Sequence, residues 1–254
     1  MSPIGLIGGT GVRAPGQTTQ PTCVPTAWGE AWVARLVLGG REVCFIRRHG
    51  PEGGVPPHRV NYRAHIRALH ILGCRVVLAT NAVGSLNDAL PPGRLVLPDQ
   101  FLDLTKARPG TFYDGDRGVV HVDMTEPYCS RLRAALAEAG RAAEQAAVDG
   151  GVYACTEGPR FETPAEIRML RQWGADLVGM TGVPEVVLAR EAGLCYASLC
   201  VVSNWAAGIS SVPLTETEVH DTMLARQEAI GAVLERACAG IEPDAECRCG
   251  VGRA

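Results

Sequence analysis

The chain reads as an α/β protein: a single domain built on one central β-sheet, mainly parallel or mixed, with helices on its flanks. Three observations predict this. Short aliphatic or β-branched runs alternate with longer segments of helical pattern, the order expected when helices connect the strands of a sheet. Small blocks carrying Gly or Pro beside polar or aromatic residues fall at the ends of apolar runs, where ligand-contacting loops sit on such a scaffold. The length of 254 residues, 46% of them hydrophobic and 20% charged, is enough to bury one sizeable core.

The elements follow in order. The first apolar run predicts a strand at 4–7, ended by a glycine cluster, and residues 11–26 read as a loop. A strand is expected at 42–46. A helix at 62–72 follows from Tyr62, Ile66 and Leu69, which recur at i, i+4 and i+7 and give one buried face. Strands at 75–79 and 94–97 precede a loop at 106–118. A helix at 130–144 and a strand at 151–155 lead to a helix at 164–173, whose first turn tolerates Pro164. A strand at 176–180 leads to a helix at 184–191, opened in the same way by Pro184. The last pair is a strand at 196–202 and a long helix at 217–239. The domain is expected to span 1–239, with 240–254 a flexible tail.

Bulk properties exclude several classes. A formal net charge of −3 does not favour a polyanionic partner, so no nucleic acid is expected. No apolar run approaches the roughly 18–20 residues of a membrane span. The start, Met1-Ser2-Pro3-Ile4-Gly5, lacks a basic region followed by an apolar one. A cytoplasmic location is the default expectation. Most of the 10 cysteines, among them Cys44, Cys74, Cys155, Cys195, Cys200 and Cys238, lie in apolar runs and read as buried reduced thiols. Cys247 and Cys249 form a C-x-C pair in the polar tail. A zinc site would normally show a second ligand pair at suitable spacing, and none lies nearby. Reduced thiols or an optional disulfide are the two readings there.

Candidate chemistry begins at Ile7-Gly8-Gly9-Thr10-Gly11. Glycines at a strand end let backbone N–H groups converge on an anion, and Thr10 adds a hydroxyl. A plain turn is the alternative, because the glycine spacing matches a dinucleotide fingerprint poorly. Arg47-Arg48-His49-Gly50 ends the second predicted strand with donors suited to phosphate oxygens, or with solvated charge. Asn81-Ala82-Val83-Gly84-Ser85 ends the third. There is no G-x-S-x-G elbow, no H-E-x-x-H and no G-x-x-x-x-G-K-[ST]. The pattern fits an enzyme that binds and positions an anion rather than one that forms a covalent intermediate.

Taken together, these blocks resemble the trimeric purine nucleoside phosphorylase and methylthioadenosine phosphorylase family, from Ile4 to about Ala239. The motifs that carry the resemblance are Gly8-Gly9-Thr10-Gly11, Arg48-His49-Gly50, Pro57-His58 with Val60-Asn61-Tyr62, Asn81 to Ser85, Asp99-Gln100-Phe101, Phe112-Tyr113-Asp114-Gly115, Glu157-Gly158-Pro159-Arg160-Phe161, and Met180-Thr181 with Val183-Pro184-Glu185. The resemblance implies a pentosyltransferase reaction in which inorganic phosphate displaces a purine from a nucleoside. It implies no metal or organic cofactor, with phosphate as co-substrate. It places phosphate on Thr10, Arg48, His49, Asn81, Ala82 and Thr181. Met180 and Ser203 would lie at the nucleoside, and Phe161 would stack on the base. His121 would complete the site of an adjacent subunit in a homotrimer, with a hexamer of two trimers a further assembly the family allows.

The base site departs from the adenine branch. Methylthioadenosine phosphorylases typically show an Asp-x-Asp stretch there and a serine after the stacking phenylalanine. This chain has Asn204-Trp205-Ala206, and Glu162 follows Phe161. A 6-oxopurine offers an N1–H donor to Glu162 and an O6 acceptor to the Asn204 amide, the two groups read as catalytic. Adenine reverses that pattern and would leave polar groups unpaired. The bland alternative is that Glu162 caps the following helix and Asn204 only forms a turn. At the sugar's 5′ end, Val212, Pro213 and Leu214 could line an apolar pocket for a methylthio group, whereas His220 could meet a hydroxyl. The expected substrate is S-methyl-5′-thioinosine, giving hypoxanthine and S-methyl-5-thioribose 1-phosphate. Inosine and guanosine are the alternative, and methylthioadenosine the second alternative.

Overall fold

A computed structural model describes residues 1–12, 18–115 and 118–250. Its strands and helices, in chain order, are β1 (Ile4–Gly8), β2 (Thr22–Thr26), β3 (Gly29–Leu38), β4 (Arg41–Arg47), α1 (Tyr62–Ile71), β5 (Val76–Ser85), β6 (Leu95–Leu97), β7 (Gln100–Leu104), α2 (Ser130–Ala142), β8 (Val148–Asp149), β9 (Val152–Thr156), α3 (Pro164–Gln172), β10 (Leu177–Gly179), α4 (Glu185–Glu191), β11 (Cys195–Trp205), α5 (Glu216–Ala225) and α6 (Gln227–Gly240). The strands form one mixed sheet in the order β2-β3-β4-β1-β5-β10-β9-β7, with β11 branching from β5, β6 pairing with β11, and β8 with β6. The α/β architecture is the one the alternating pattern predicts. No helix among the described residues is long and apolar enough to cross a membrane.

The centre of the sheet is apolar on both faces. β1 lies between β4 and β5, parallel to both, and every one of its residues is buried. Ile7 joins the core beneath α1 and α4, while Ile4 and Leu6 face the core beneath α2 and α6. Continuous burial explains why no polar side chain interrupts Ile4–Gly8. The outer strands were not legible in the same way. β3 alternates buried and exposed positions, and β2 is an edge strand with Pro25 inside it, so neither shows a solid apolar run. β2 occupies part of the expected loop 11–26, of which residues 13–17 lie outside the described residues. Residues 116 and 117 of the expected loop 106–118 do too.

Helix starts follow their capping residues. Asn61 accepts from the Ala64 N–H at 3.1 Å and opens α1. Thr163 caps α3 in a reciprocal box with Glu166, and Pro164 takes the first turn. The expected helix at 217–239 is two helices, broken at Arg226, which ends α5 and begins α6. α5 packs towards β11 and α6 against α2, so one straight rod could not serve both faces. Beyond α6 the chain turns back onto the domain: Ile241 and Cys249 are buried in the core beneath α2 and α6. Ser2 donates to the Asp244 carboxylate from its backbone N–H at 3.0 Å and its hydroxyl at 2.6 Å.

α2 ends in a Schellman arrangement. Gln145 N–H reaches the Gly140 carbonyl at 2.8 Å, and Glu144 N–H reaches that of Arg141 at 3.1 Å. Glu144 sits in the left-handed region at φ 57°, the one non-glycine with positive φ among the described residues. An L side chain there is strained, whereas glycine is not. Glu144→Gly should therefore stabilise the fold by about 0.5–1 kcal/mol, read as a higher urea midpoint at unchanged activity. A lower midpoint would contradict the strain argument.

Candidate active site

β1, β4, β5 and β11 run in the same direction, so the segments that follow them open along one edge of the sheet. β10 pairs antiparallel with the end of β5 at Gly84 and Ser85 and then departs from it. A cavity of about 660 Å³ opens where these strand ends diverge. Its wall includes Thr10, Arg48, His49, Ala82, Phe161, Glu162, Met180, Thr181, Ser203 and Asn204. The structure thus brings together ten of the residues singled out from the sequence. Asn81 stands just behind the wall. His121 is exposed and lies outside the cavity.

The floor is built on a buried ion pair. Arg48 is 1% exposed and Glu185 is 0% exposed. The guanidinium Nε and Nη2 each donate to a Glu185 oxygen at 2.8 Å, and Nη1 donates to the Thr80 carbonyl at 2.7 Å. Tyr196 adds a hydroxyl bond to Glu185 at 2.7 Å. Burial pulls the guanidinium pKa down, but the adjacent carboxylate more than offsets this, and Arg48 stays charged. The arginine fork read as a phosphate clamp is thus largely held by Glu185, which leaves only its remaining N–H groups for the cavity. The Gly9 N–H donates to the Thr80 hydroxyl at 3.0 Å. A Cβ at Gly9 would stand 2.5 Å from the Thr80 carbonyl oxygen and 2.6 Å from Arg48 Nη1, so only glycine lets this loop close.

Around this floor sit neutral polar groups. His49 Nδ1 donates to the Val55 carbonyl at 2.7 Å, which fixes the tautomer and leaves Nε2 free. Burial holds its pKa below the usual histidine value. Asn81 donates to the Thr181 hydroxyl oxygen at 2.8 Å and accepts from Ser198 at 2.7 Å. Because Thr181 accepts from Asn81, its own O–H remains available to an anion.

The opposite wall carries the base-site candidates. Glu162 follows β9, and one of its oxygens accepts from the Thr156 hydroxyl at 2.6 Å. Burial raises its pKa above the ordinary carboxylate value, and the Thr156 bond opposes that rise. Thr163 caps α3, so Glu162 does not. Asn204, on β11, accepts from Ser203 at 2.7 Å and donates to the Trp205 carbonyl at 2.9 Å. One amide N–H and one lone pair remain. Phe161 stands 39% exposed at the rim. Leu214, Val219 and Leu224 also line the cavity, with Glu216 and His220, whereas Val212 and Pro213 do not.

Sequence reasoning missed the residues that hold this wall in place. Glu185 appeared only as part of a motif, although a buried arginine at a strand end calls for a carboxylate. Tyr153 accepts from the Thr181 and Gly182 N–H groups at 3.3 and 3.2 Å. Arg108, in the expected loop 106–118, donates to the carbonyls of Met180, Val183, Thr156 and Glu157. It ties the segment after β9 to the segment after β10, and an isolated loop arginine gives no sequence signal of that.

Comparison with known proteins gives a consistent picture. A profile described as the phosphorylase superfamily matches residues 3–239. A probable S-methyl-5′-thioinosine phosphorylase of Methanothermobacter thermautotrophicus is 49% identical over 97% of this chain and 87% of its own length. A probable 6-oxopurine nucleoside phosphorylase of Moorella thermoacetica is 51% identical, over 97% of this chain and 96% of its own. Among solved structures, methylthioadenosine phosphorylase from Schistosoma mansoni in complex with adenine superposes with a TM-score of 0.90 at 34% identity. That match covers 94% of this chain and 91% of the other.

Removing one partner of the buried pair strands the other charge. Glu185→Ala should cost roughly 3–5 kcal/mol of stability, seen as a lower denaturant midpoint. A change below about 1 kcal/mol, the range of a surface ion pair, would show that the pair does not anchor the floor.

Proposed function

We infer the reaction from one premise: the chain belongs to the phosphorylase superfamily. It is a nucleoside phosphorylase that cleaves 6-oxopurine nucleosides, with inorganic phosphate as co-substrate. A phosphate oxygen forms a bond to C1′ of the sugar as the C1′–N bond to the purine breaks. The bonding pair leaves with the base, which takes up a proton, and the sugar leaves as its 1-phosphate.

The observation that carries the base preference is the placement of Glu162. It lines the cavity, is relieved of capping duty by Thr163, and has one oxygen held by Thr156. The other oxygen can accept the N1–H of a 6-oxopurine. An adenine would present a lone pair there, and an unpaired polar contact in a closed site discriminates strongly. The spare Asn204 N–H serves O6 or N7 and stabilises charge on the departing base. Phe161 stacks on the ring, and Met180 and Ser203 flank the nucleoside.

Phosphate is assigned to the floor, against Thr10, the free N–H groups of Arg48, His49, the backbone at Ala82 and the Thr181 hydroxyl. Asn81 acts one step back, by orienting Thr181. Neutral His49 presents Nε2 to the O–H of monohydrogen phosphate. Glu185 already balances Arg48, so the dianion keeps its charge facing the sugar, where oxocarbenium character develops. Within the 6-oxopurine class we assign S-methyl-5′-thioinosine as the preferred substrate, because Leu214, Val219 and Leu224 give the cavity wall apolar side chains suited to a methylthio group. Inosine and guanosine are the second reading, favoured by Glu216 and His220 in the same wall. The resemblance carries a homotrimer with it, in which the exposed His121 reaches a neighbour's site.

Phosphate-dependent base release from methylthioinosine, inosine, guanosine and methylthioadenosine tests this reading. Hypoxanthine release should be fastest from methylthioinosine, and inosine or guanosine matching it would remove the 5′ assignment alone. The double substitution Asn204→Asp with Glu162→Ser should shift the inosine-to-adenosine kcat/KM ratio by roughly 100-fold or more towards adenosine. An unchanged ratio would sink the base-site assignment.

The pH profile gives an independent check. With one oxygen held by Thr156, Glu162 needs to be ionised for both oxygens to act purely as acceptors, and burial raises its pKa. kcat/KM for a 6-oxopurine nucleoside should therefore fall on acidification with a midpoint above the ordinary carboxylate value. Glu162→Gln should abolish that acid limb, and a limb that persists in the variant belongs to another group.

A further inference from the structure

Four cysteines far apart in sequence meet on the side of the sheet covered by α2 and α6. Cys129 precedes the first residue of α2, Cys195 begins β11, and Cys247 and Cys249 come from the returning C-terminal segment. The sulfurs of all four lie within 4.8 Å of one another. Cys247 Sγ stands 3.5 Å from that of Cys129 and 3.3 Å from that of Cys249. None of the four lines the active-site cavity.

We propose that Cys129, Cys195, Cys247 and Cys249 form a structural zinc site that clamps the C-terminal segment onto the domain. Four thiolates at ~2.3 Å from a tetrahedral zinc ion stand ~3.8 Å apart, close to the spacings seen here. The ligand set is closed, all-sulfur and without a free position, which is the composition of a structural site and favours a thiophilic metal over calcium or magnesium. Binding is balanced by release of the four thiol protons to solvent and leaves a net charge of −2 on the cluster.

The surroundings match that charge. Arg131 directs Nη2 at Cys195 Sγ, 3.9 Å away, and its Nη1 donates to the Glu242 carbonyl at 3.0 Å. Its buried Nε has no hydrogen-bond partner among the described residues. A buried guanidinium donor beside sulfur has a strong partner once the sulfurs are thiolates. Cys129 stands at the N-terminus of α2, where unpaired N–H groups favour negative charge.

Two of the ligands are held by the fold itself. The Cys129 N–H donates to the Tyr196 carbonyl at 2.8 Å, and the Cys195 N–H to that of Arg75 at 3.0 Å. The C-x-C pair supplies the other half and is brought to them by the burial of Ile241 and by the Ser2–Asp244 contacts. This is the second ligand pair that the tail lacks in sequence: it comes from positions 129 and 195, and no local spacing could show it.

Elemental analysis of the full chain, purified without added metal or chelator, should find about one zinc per chain. Cys129→Ser and Cys249→Ser should each lose it, lower the melting temperature by about 5 °C or more, and leave kcat for phosphorolysis unchanged. If Cys129→Ser does not fold, the wild-type protein suffices: reduced, stripped and supplied with Co²⁺, it should develop the visible bands of a tetrahedral thiolate site. Two results overturn the proposal. One is wild-type protein that neither contains zinc nor binds Co²⁺ after reduction. The other is a denatured, unreduced sample with four fewer titratable thiols than the ten cysteines of the chain, which would put these residues in disulfides. Both readouts are independent of substrate, so their failure is distinct from failure of the phosphorylase reading.

Discussion

The contact between Arg48 and Glu185 holds the active-site edge of the sheet together. Through it β4 and α4 meet, and the same two side chains reach β5 through the Thr80 carbonyl and β11 through Tyr196. β1 joins through the Gly9 N–H on the Thr80 hydroxyl. Five elements, four of them neighbouring strands of the sheet, are thus tied to one buried charge pair. Such a pair contributes little net stability compared with an apolar filling, but it is costly to break and tolerates few geometries. That property suits a site whose donors must be in place before the anion arrives.

A second layer of contacts turns those strand ends into a cavity. β10 leaves β5 after two paired residues, and the gap would be loose without Tyr153 and Arg108. Tyr153 holds the backbone at Thr181 and Gly182 from below, and Arg108 draws together the carbonyls after β9 and β10. These residues need not touch a ligand. They set the distance between the Thr181 hydroxyl on one side and Glu162 on the other, and so the width of the space a nucleoside would occupy.

Much of this was legible in the sequence because central strands and their turns carry strong local signals. The aliphatic run of β1, the Tyr62-Ile66-Leu69 face of α1 and the Gly, Arg-His and Asn-Ala blocks at the strand ends each point to their place without tertiary information. What could not be read depends on distant partners. β2 and β3 lie at the sheet's outer side, where exposure breaks up the apolar pattern. The break at Arg226 appears only when α5 must pack towards β11 and α6 against α2. Glu185 shows its role only beside Arg48, 137 positions away, and the sulfur cluster unites three separate parts of the chain.

On the proposed assignment, the two halves of substrate choice rest on different parts of the fold. Glu162 lies in the segment after β9 and Asn204 near the end of β11, and both are buried and hydrogen-bonded to residues of the sheet. A change of base preference would then have to disturb buried positions tied to the sheet. The candidates for 5′ recognition belong to α5 and the segment before it, and α5 buries only Met223 among its residues. Side chains such as Leu214, His220 and Leu224 can be exchanged there at little cost to the core, because surface substitutions away from buried features change stability slightly. Preference for a methylthio or a hydroxyl group can thus drift while the 6-oxopurine chemistry stays fixed. Relatives at 49% and 51% identity that bear the two different substrate names are what such a division of labour would produce.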